Sequence, residues 1–441
     1  MDEKATEIIP SATAVRIARR VVEGCGLFVA IGLPLAFHPY SPEPFEPIKA
    51  WLFWGATAAM VLASGLRWFI GREDRWSGAG HPLTVPALAW AAASLIATVT
   101  ARFPLSLGAP NGPATTLSGI LFFLLLTREL RSGEQLQRLV TAIILGSVPV
   151  SLYGLIQAGG LDPLPWVSDS VSPVLSTLGR SNFLGAYLAV VIPLTVWQWV
   201  ERRRWQYVAV LLLQGGCLWL TMARAAWLGF LAGTALFLGL LAHRRGDRRL
   251  WLAVGLFLIL GSGLLVWMNG FTFPYPADRG TGATPVGVSD LRAATIRTRW
   301  MIWATTWHLI RQRWFWGYGP GAFATVFALH RPPALADLEG AKGVDDPHNL
   351  ILSLWMDTGV WGLLAFLALV AQFYRTVFRP DPAASPWASL RWAAAGAMTA
   401  SLVEAMFGRG TVVSLAFRML ILTLGVSATR QDFLRALQSC G

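Results

Sequence analysis

The chain has 441 residues, 54% of them hydrophobic and only 14% charged, with a formal net charge of +12. An apolar share of this size in so long a chain excludes a water-soluble globular protein. The positive charge sits in short arginine clusters between apolar runs, which points to membrane topology and anionic lipid rather than to nucleic acid. Its three cysteines give neither a disulfide framework nor a metal-ligand spacing.

A membrane crossing needs about 20 mostly apolar residues. Taken in order, the candidate segments are 21–37, 50–70, 83–103, 115–127, 139–158, 183–200, 207–220, 225–242, 250–268, 349–370, 387–407 and 411–426. The expected fold is therefore an all-α polytopic membrane protein with about 12 transmembrane helices, the whole of 1–441 forming one integral membrane domain. Alternate turns carry basic clusters: Arg67, Arg72 and Arg75; Arg128, Arg131 and Arg138; Arg202, Arg203 and Arg204; Arg244 through Arg249; Arg375 and Arg379. The turns between them are poorer in arginine. The positive-inside rule then puts both termini in the cytoplasm and a large loop, 269–348, on the outer face of the cytoplasmic membrane, between helices 9 and 10. Within that loop, 290–313 has helical character, with Trp300, Trp303 and Trp307 spaced to share a face along the membrane interface. The last span is expected to end near Val426, ahead of an amphipathic tail.

Four features fall on the outer side of this topology: Thr177 to Asn182, Arg224, the run from Arg299 to Phe323, and Asp346-Pro347-His348-Asn349. Guanidinium groups grip phosphate through paired hydrogen bonds, so arginines at the outer leaflet suit a lipid-linked phosphate or pyrophosphate. Against that stands the reading of Arg180 and Arg224 as snorkelling anchors, and of Arg297 and Arg299 as a solvated helix face. Asp346 fits an N-cap and Pro347 a first helical position, which would place His348 in the first turn of the tenth span. The helix dipole there favours a neutral imidazole, while Asp345 and Asp346 favour the charged form. A histidine beside a phosphate site suits a general base; the competing reading is a helix-start histidine bonded to backbone or lipid headgroup. The turn Gly317-Tyr318-Gly319-Pro320-Gly321 reads as a fold-back of the tryptophan helix toward the tenth span rather than a nucleotide loop. Glu404 and Arg418 are charges within spans, placed to pair with each other.

In four ordered places the chain resembles the O-antigen ligases and O-antigen polymerases, glycosyltransferases of the bacterial inner membrane. These are TLGRSNFLGAYL at 177–188, TMARAAWLG at 221–229, RWMIW with GYGPGAF across 299–323, and PHNLILSLWMDTGVWGLL at 347–364. The resemblance implies a metal-independent, cofactor-free, inverting transfer of a glycan from an undecaprenyl-pyrophosphate carrier. Its acceptor hydroxyl would belong to a glycan, a lipid or a protein. The same resemblance gives Arg180, Arg224 and Arg299 the pyrophosphate and His348 the acceptor proton, with Arg224 also catalytic; Arg297 is a further candidate for the pyrophosphate. Asn182, Trp303, Gly319 and Asn349 would support them. The alternative is a secondary transporter for a small, bicarbonate-like anion, which would want charges near the bilayer midplane and repeated halves.

Overall fold

The computed structural model describes residues 8–70, 81–102, 107–164, 172, 174–270, 288–335, 343–380 and 387–440. Arg72 and Arg75, the start of the long loop (271–287) and residues 336–342 of its insert lie outside them. The described elements are helical: α1 (Ile8–Leu35), α2 (Glu46–Ile70), α3 (Thr84–Val99), α4 (Pro113–Glu129), α5 (Gly133–Ala158), α6 (Ser181–Arg202), α7 (Trp205–Leu220), α8 (Arg224–Arg245), α9 (Arg248–Gly270), α10 (Val288–Gln312), α11 (Phe323–Leu329), α12 (Leu350–Val377), α13 (Ala388–Ala405) and α14 (Val412–Cys440). Among the described residues, seven helices are long and apolar enough to cross a membrane: α2, α5, α6, α8, α9, α12 and α14. Helices α3 and α7 are apolar but shorter. The protein is a multi-pass helical membrane protein. Where a span ending near Val426 was expected, α14 runs on unbroken to Cys440.

Helices α6 and α14 form the centre of the bundle, whereas α9 lies at the periphery with most of its apolar surface exposed. Hydrocarbon gives no hydrophobic drive for helix association, so close backbone approach has to supply the contact. Small residues provide it between α8 and α13. A Cβ on Gly233 would stand 2.3 Å from the Gly396 carbonyl oxygen, and one on Gly229 would stand 2.5 Å from that of Ala400. This contact fixes Arg224, the first residue of α8, relative to the turn that follows α13.

Polar ties hold the same end of the bundle. Buried Lys49 donates to the carbonyls of Ala36 (2.6 Å) and Thr177 (2.7 Å). The Thr177 hydroxyl donates to the Pro34 carbonyl at 2.7 Å. The Gln157 amide oxygen accepts the N–H groups of Leu175 and Ser176. Together these bonds pin the segment that leads to Arg180. Glu46 accepts the Val412 N–H at 3.0 Å, joining the starts of α2 and α14.

The segment from α10 through α11 has a small core of its own, in which Ile302, Leu309, Tyr318, Phe323 and Phe327 pack with Met356 of α12. The tryptophans of α10 divide. Trp300 and Trp307 are exposed, and Trp307 meets Trp355 edge-on at 5.4 Å. Trp303 turns inward.

Candidate functional site

Helix α12 starts later than the residue grammar suggested. Asn349, not Asp346, is its N-cap, and the Asn349 side-chain oxygen accepts from the N–H groups of Ile351 and Leu352, both at 3.1 Å. His348 therefore lies just outside the first turn, with a backbone φ of 53°. That left-handed conformation is sparsely populated for a residue with a Cβ and persists only where neighbours impose it.

Here they do. Asp346 accepts the His348 N–H at 2.6 Å and also a backbone N–H from Gly410. The indole of Trp303 donates to the Pro347 carbonyl at 2.9 Å. The Asn349 amide donates to the Met406 carbonyl at 3.3 Å. Asp345 pairs with Arg409 at 2.5 Å. The histidine is thus held between α10 and the turn that joins α13 to α14.

The glycine-rich turn docks on a break in α12. Gly359 has φ 65° and interrupts the helix, which leaves carbonyls without intrahelical partners. The turn supplies them: Tyr318 N–H donates to the Met356 carbonyl (2.7 Å) and Gly319 N–H to that of Asp357 (2.9 Å). In return Val360 N–H and the Trp355 indole both donate to the Trp314 carbonyl. The backbones meet so closely that a Cβ on Gly359 would lie 2.2 Å from the Phe315 carbonyl oxygen. Arg313 extends the clamp by donating to the Thr100 carbonyl at 2.9 Å.

Three arginines act on His348, and a fourth, Arg224, acts on one of them. Arg180, at the N-cap of α6, is exposed and lies over the Phe183 ring at 5.8 Å. Arg224 is exposed at the start of α8 and acts as a like charge on Arg299 of α10, which also feels Glu404. Arg299, Arg409 and Arg180 all act on His348. The sequence left Arg409 as part of a short turn; the signal that singled out Arg180 and Arg224, an arginine on the arginine-poor side, applied to it equally. Arg297, two residues before Arg299 on α10, is exposed, and so is Asn182; among the described residues neither makes a described bond to this group. Glu404 and Arg418 are within electrostatic reach of each other, but Arg418 gives its Nε–H to Ser401 at 2.9 Å.

Burial, and then the surrounding arginines led by Arg299, push the His348 pKa down to about 4, outweighing the opposing charge of Asp345. The imidazole is neutral at physiological pH and able to accept a proton. Burial moves Asp346 the other way, to about 7, against its two backbone hydrogen bonds and Arg409. Arg299 is lowered by burial and by Arg224. Beside the histidine loop lies a cavity of about 130 Å³ lined by Asp345, Asp346, Pro347, Asp357, Arg409 and Arg418, among others. Among the described residues no three His, Cys, Asp or Glu side chains stand together in a metal-binding group.

The arrangement offers a neutral base ringed by permanent cations at one end of a membrane bundle. Residues 208–367 match the family model described as O-antigen ligase. That stretch runs from α7 into α12 and includes Arg224, Arg299 and His348, while Arg180 and Arg409 lie on either side of it. No curated protein matches the chain.

Proposed function

Taking as premise an O-antigen-ligase-type membrane domain, we propose that the protein transfers a glycan from an undecaprenyl-pyrophosphate carrier to an acceptor hydroxyl. The observation that carries this reading is the ring of arginines around a neutral His348. The pyrophosphate binds among Arg180, Arg224 and Arg299, which neutralise the charge that grows on it as it leaves. His348 takes the proton of the acceptor hydroxyl. The freed oxygen pair forms a bond to the anomeric carbon from the face opposite the carrier. The bond from that carbon to the pyrophosphate oxygen breaks, its electrons leaving with undecaprenyl pyrophosphate, so configuration inverts. No step calls for a metal or a cofactor.

The two ends of the bundle support an orientation. Arg67, Arg138 and Arg391 lie at one end, and the arginines around His348 lie at the other. With the basic turns facing the cytoplasm, both termini are cytoplasmic, the chain crosses about 12 times, and the long loop faces the outer side of the inner membrane. The ligase match gives the small-anion transporter no support.

Release of undecaprenyl pyrophosphate from a short lipid-linked glycan, measured with acceptor and EDTA present, tests the proposal. Wild type should turn over and His348→Ala should lose about 10²- to 10⁴-fold, the usual contribution of a general base. Full activity in a folded His348→Ala would refute the base assignment. Turnover abolished by EDTA and restored by a divalent ion would refute the metal-free route.

A further inference from the structure

We propose that Arg409, on the turn between α13 and α14, is a fourth phosphate-contacting arginine of the donor site, parked on Asp345 until the pyrophosphate displaces that carboxylate. The proposal rests on the donor reading above and adds a residue outside the matched stretch.

The geometry has three parts. Arg409 and Arg180 lie over the same ring, with their guanidinium carbons 5.9 and 5.8 Å from the Phe183 centroid. Cation–π contact orients a guanidinium while leaving its N–H edge free to bind. One phenyl ring at the start of α6 thus presents two forks to the space in front of His348. The carboxylate on Arg409 is also a replaceable one: Asp345 is the more accessible partner, with 42% of its side chain accessible against 19% for Arg409. An ion pair open to water on one side is held more weakly than a buried one, and a doubly charged pyrophosphate competes well against one carboxylate. Lastly, the turn itself is fixed without Arg409's side chain, through Gly410 N–H on Asp346, Asn349 on the Met406 carbonyl, and Glu46 on Val412 N–H. An arginine whose only task was to hold the loop would duplicate those bonds.

The alternative is that the Arg409–Asp345 pair is a clamp that positions His348. The two roles separate by pairing substitutions. In purified full-length protein, inorganic pyrophosphate would be titrated as a competitor of donor turnover for wild type, Arg409→Gln, Arg409→Lys and Asp345→Asn, with thermal unfolding measured for each. A charge-assisted phosphate contact predicts that Arg409→Gln raises both the pyrophosphate inhibition constant and the donor KM by roughly ten- to a hundredfold. Arg409→Lys should recover part of that loss, and Asp345→Asn should leave the inhibition constant unchanged or lower it. Parallel losses of kcat in Arg409→Gln and Asp345→Asn, with the inhibition constant unmoved, would overturn the proposal in favour of a clamp. Failure of wild type to release the lipid carrier or to respond to pyrophosphate would instead overturn the donor reading on which it stands.

Discussion

The two ends of the bundle use the same residue for opposite purposes. At one end arginine is matched with acid. Arg67 pairs with Glu129, with 6% and 2% of the two side chains accessible; Arg391 pairs with Asp432 at 3.1 Å, equally buried; and Arg138 pairs with Glu23 at 2.6 Å. At the other end arginines gather around a histidine and one another, and the carboxylate on Arg409, Asp345, is half exposed rather than buried. Arg224 repels Arg299, and burial first, then Arg299, Arg409 and Arg180, holds His348 neutral. A buried charge left without its partner is costly, so the first end reads as structure. Concentrated like charge is held together only at a cost in folding free energy, and an anion arriving at that end would recover it. The lesson is that an arginine's role in this bundle follows from its partner rather than from its depth.

The sharpest way to break the comparison is to exchange the outcomes. Removing one member of the site, Arg299→Ala, should lower kcat/KM by roughly 10²- to 10³-fold, as deletion of one transition-state donor does, while folding is unchanged or improved. Removing one member of the structural end, Asp432→Ala, should do the reverse. It takes the carboxylate away from buried Arg391 and should cost about 3–5 kcal/mol of stability, with activity per folded molecule retained. Replacing both Arg391 and Asp432 with apolar residues of similar volume should restore most of that stability. Thermal unfolding in detergent alongside donor turnover reads all three. If Asp432→Ala abolished catalysis in protein that remained folded, or Arg299→Ala unfolded the chain, the division between the ends would be wrong.

A smaller effect is expected where the scaffold meets the chemistry. Trp303→Phe keeps the ring and loses the hydrogen bond to the Pro347 carbonyl. With a typical hydrogen bond worth about 0.5–1.5 kcal/mol, turnover should fall about two- to tenfold, mainly in kcat. An unchanged kcat would show that α10 does not hold the histidine loop in its active position.

Much of this could be read from the residues, and the gaps have identifiable causes. Long apolar runs bounded by basic clusters mark the helices because their signal is local. The start of α12 was misplaced by three residues because Asp346 and Pro347 satisfy cap grammar as well as Asn349 does. Asp346 instead spends its carboxylate on His348 and Gly410, the latter more than sixty positions away, so no local pattern reveals the choice. The break at Gly359 was equally hidden. A glycine inside an apolar helix is ordinarily tolerated, and only the turn at 314–319 supplies partners for the carbonyls it exposes. Arg180 and Arg224 stood out as arginines on the arginine-poor side, and Arg299 through its Arg299-x-x-x-Trp303 spacing in the interfacial helix. Arg409 needed Phe183 and Asp345 brought to it by the fold.

The smallest effect, and the one that probes the site's electrostatics directly, is in the pH profile. His348 is held near a pKa of about 4 by burial and by its arginines, and the proposed base would work only when deprotonated. The acid limb of kcat/KM, which reports free enzyme, should therefore fall near pH 4 once ionisation of the donor is allowed for. In the donor complex the pyrophosphate offsets the arginines, favours the imidazolium and raises the pKa, so the acid limb of kcat should lie at higher pH than that of kcat/KM. Arg299→Gln should move the kcat/KM limb upward, and Arg409→Gln should move it the same way by less, following the order in which the two charges act on the ring. Asp346 supplies the competing outcome. Its burial holds it near 7 against the charge of Arg409, so a free-enzyme limb near pH 7 that is unmoved by Arg299→Gln and raised by Arg409→Gln would assign the titration to Asp346 and remove His348 from the proton transfer.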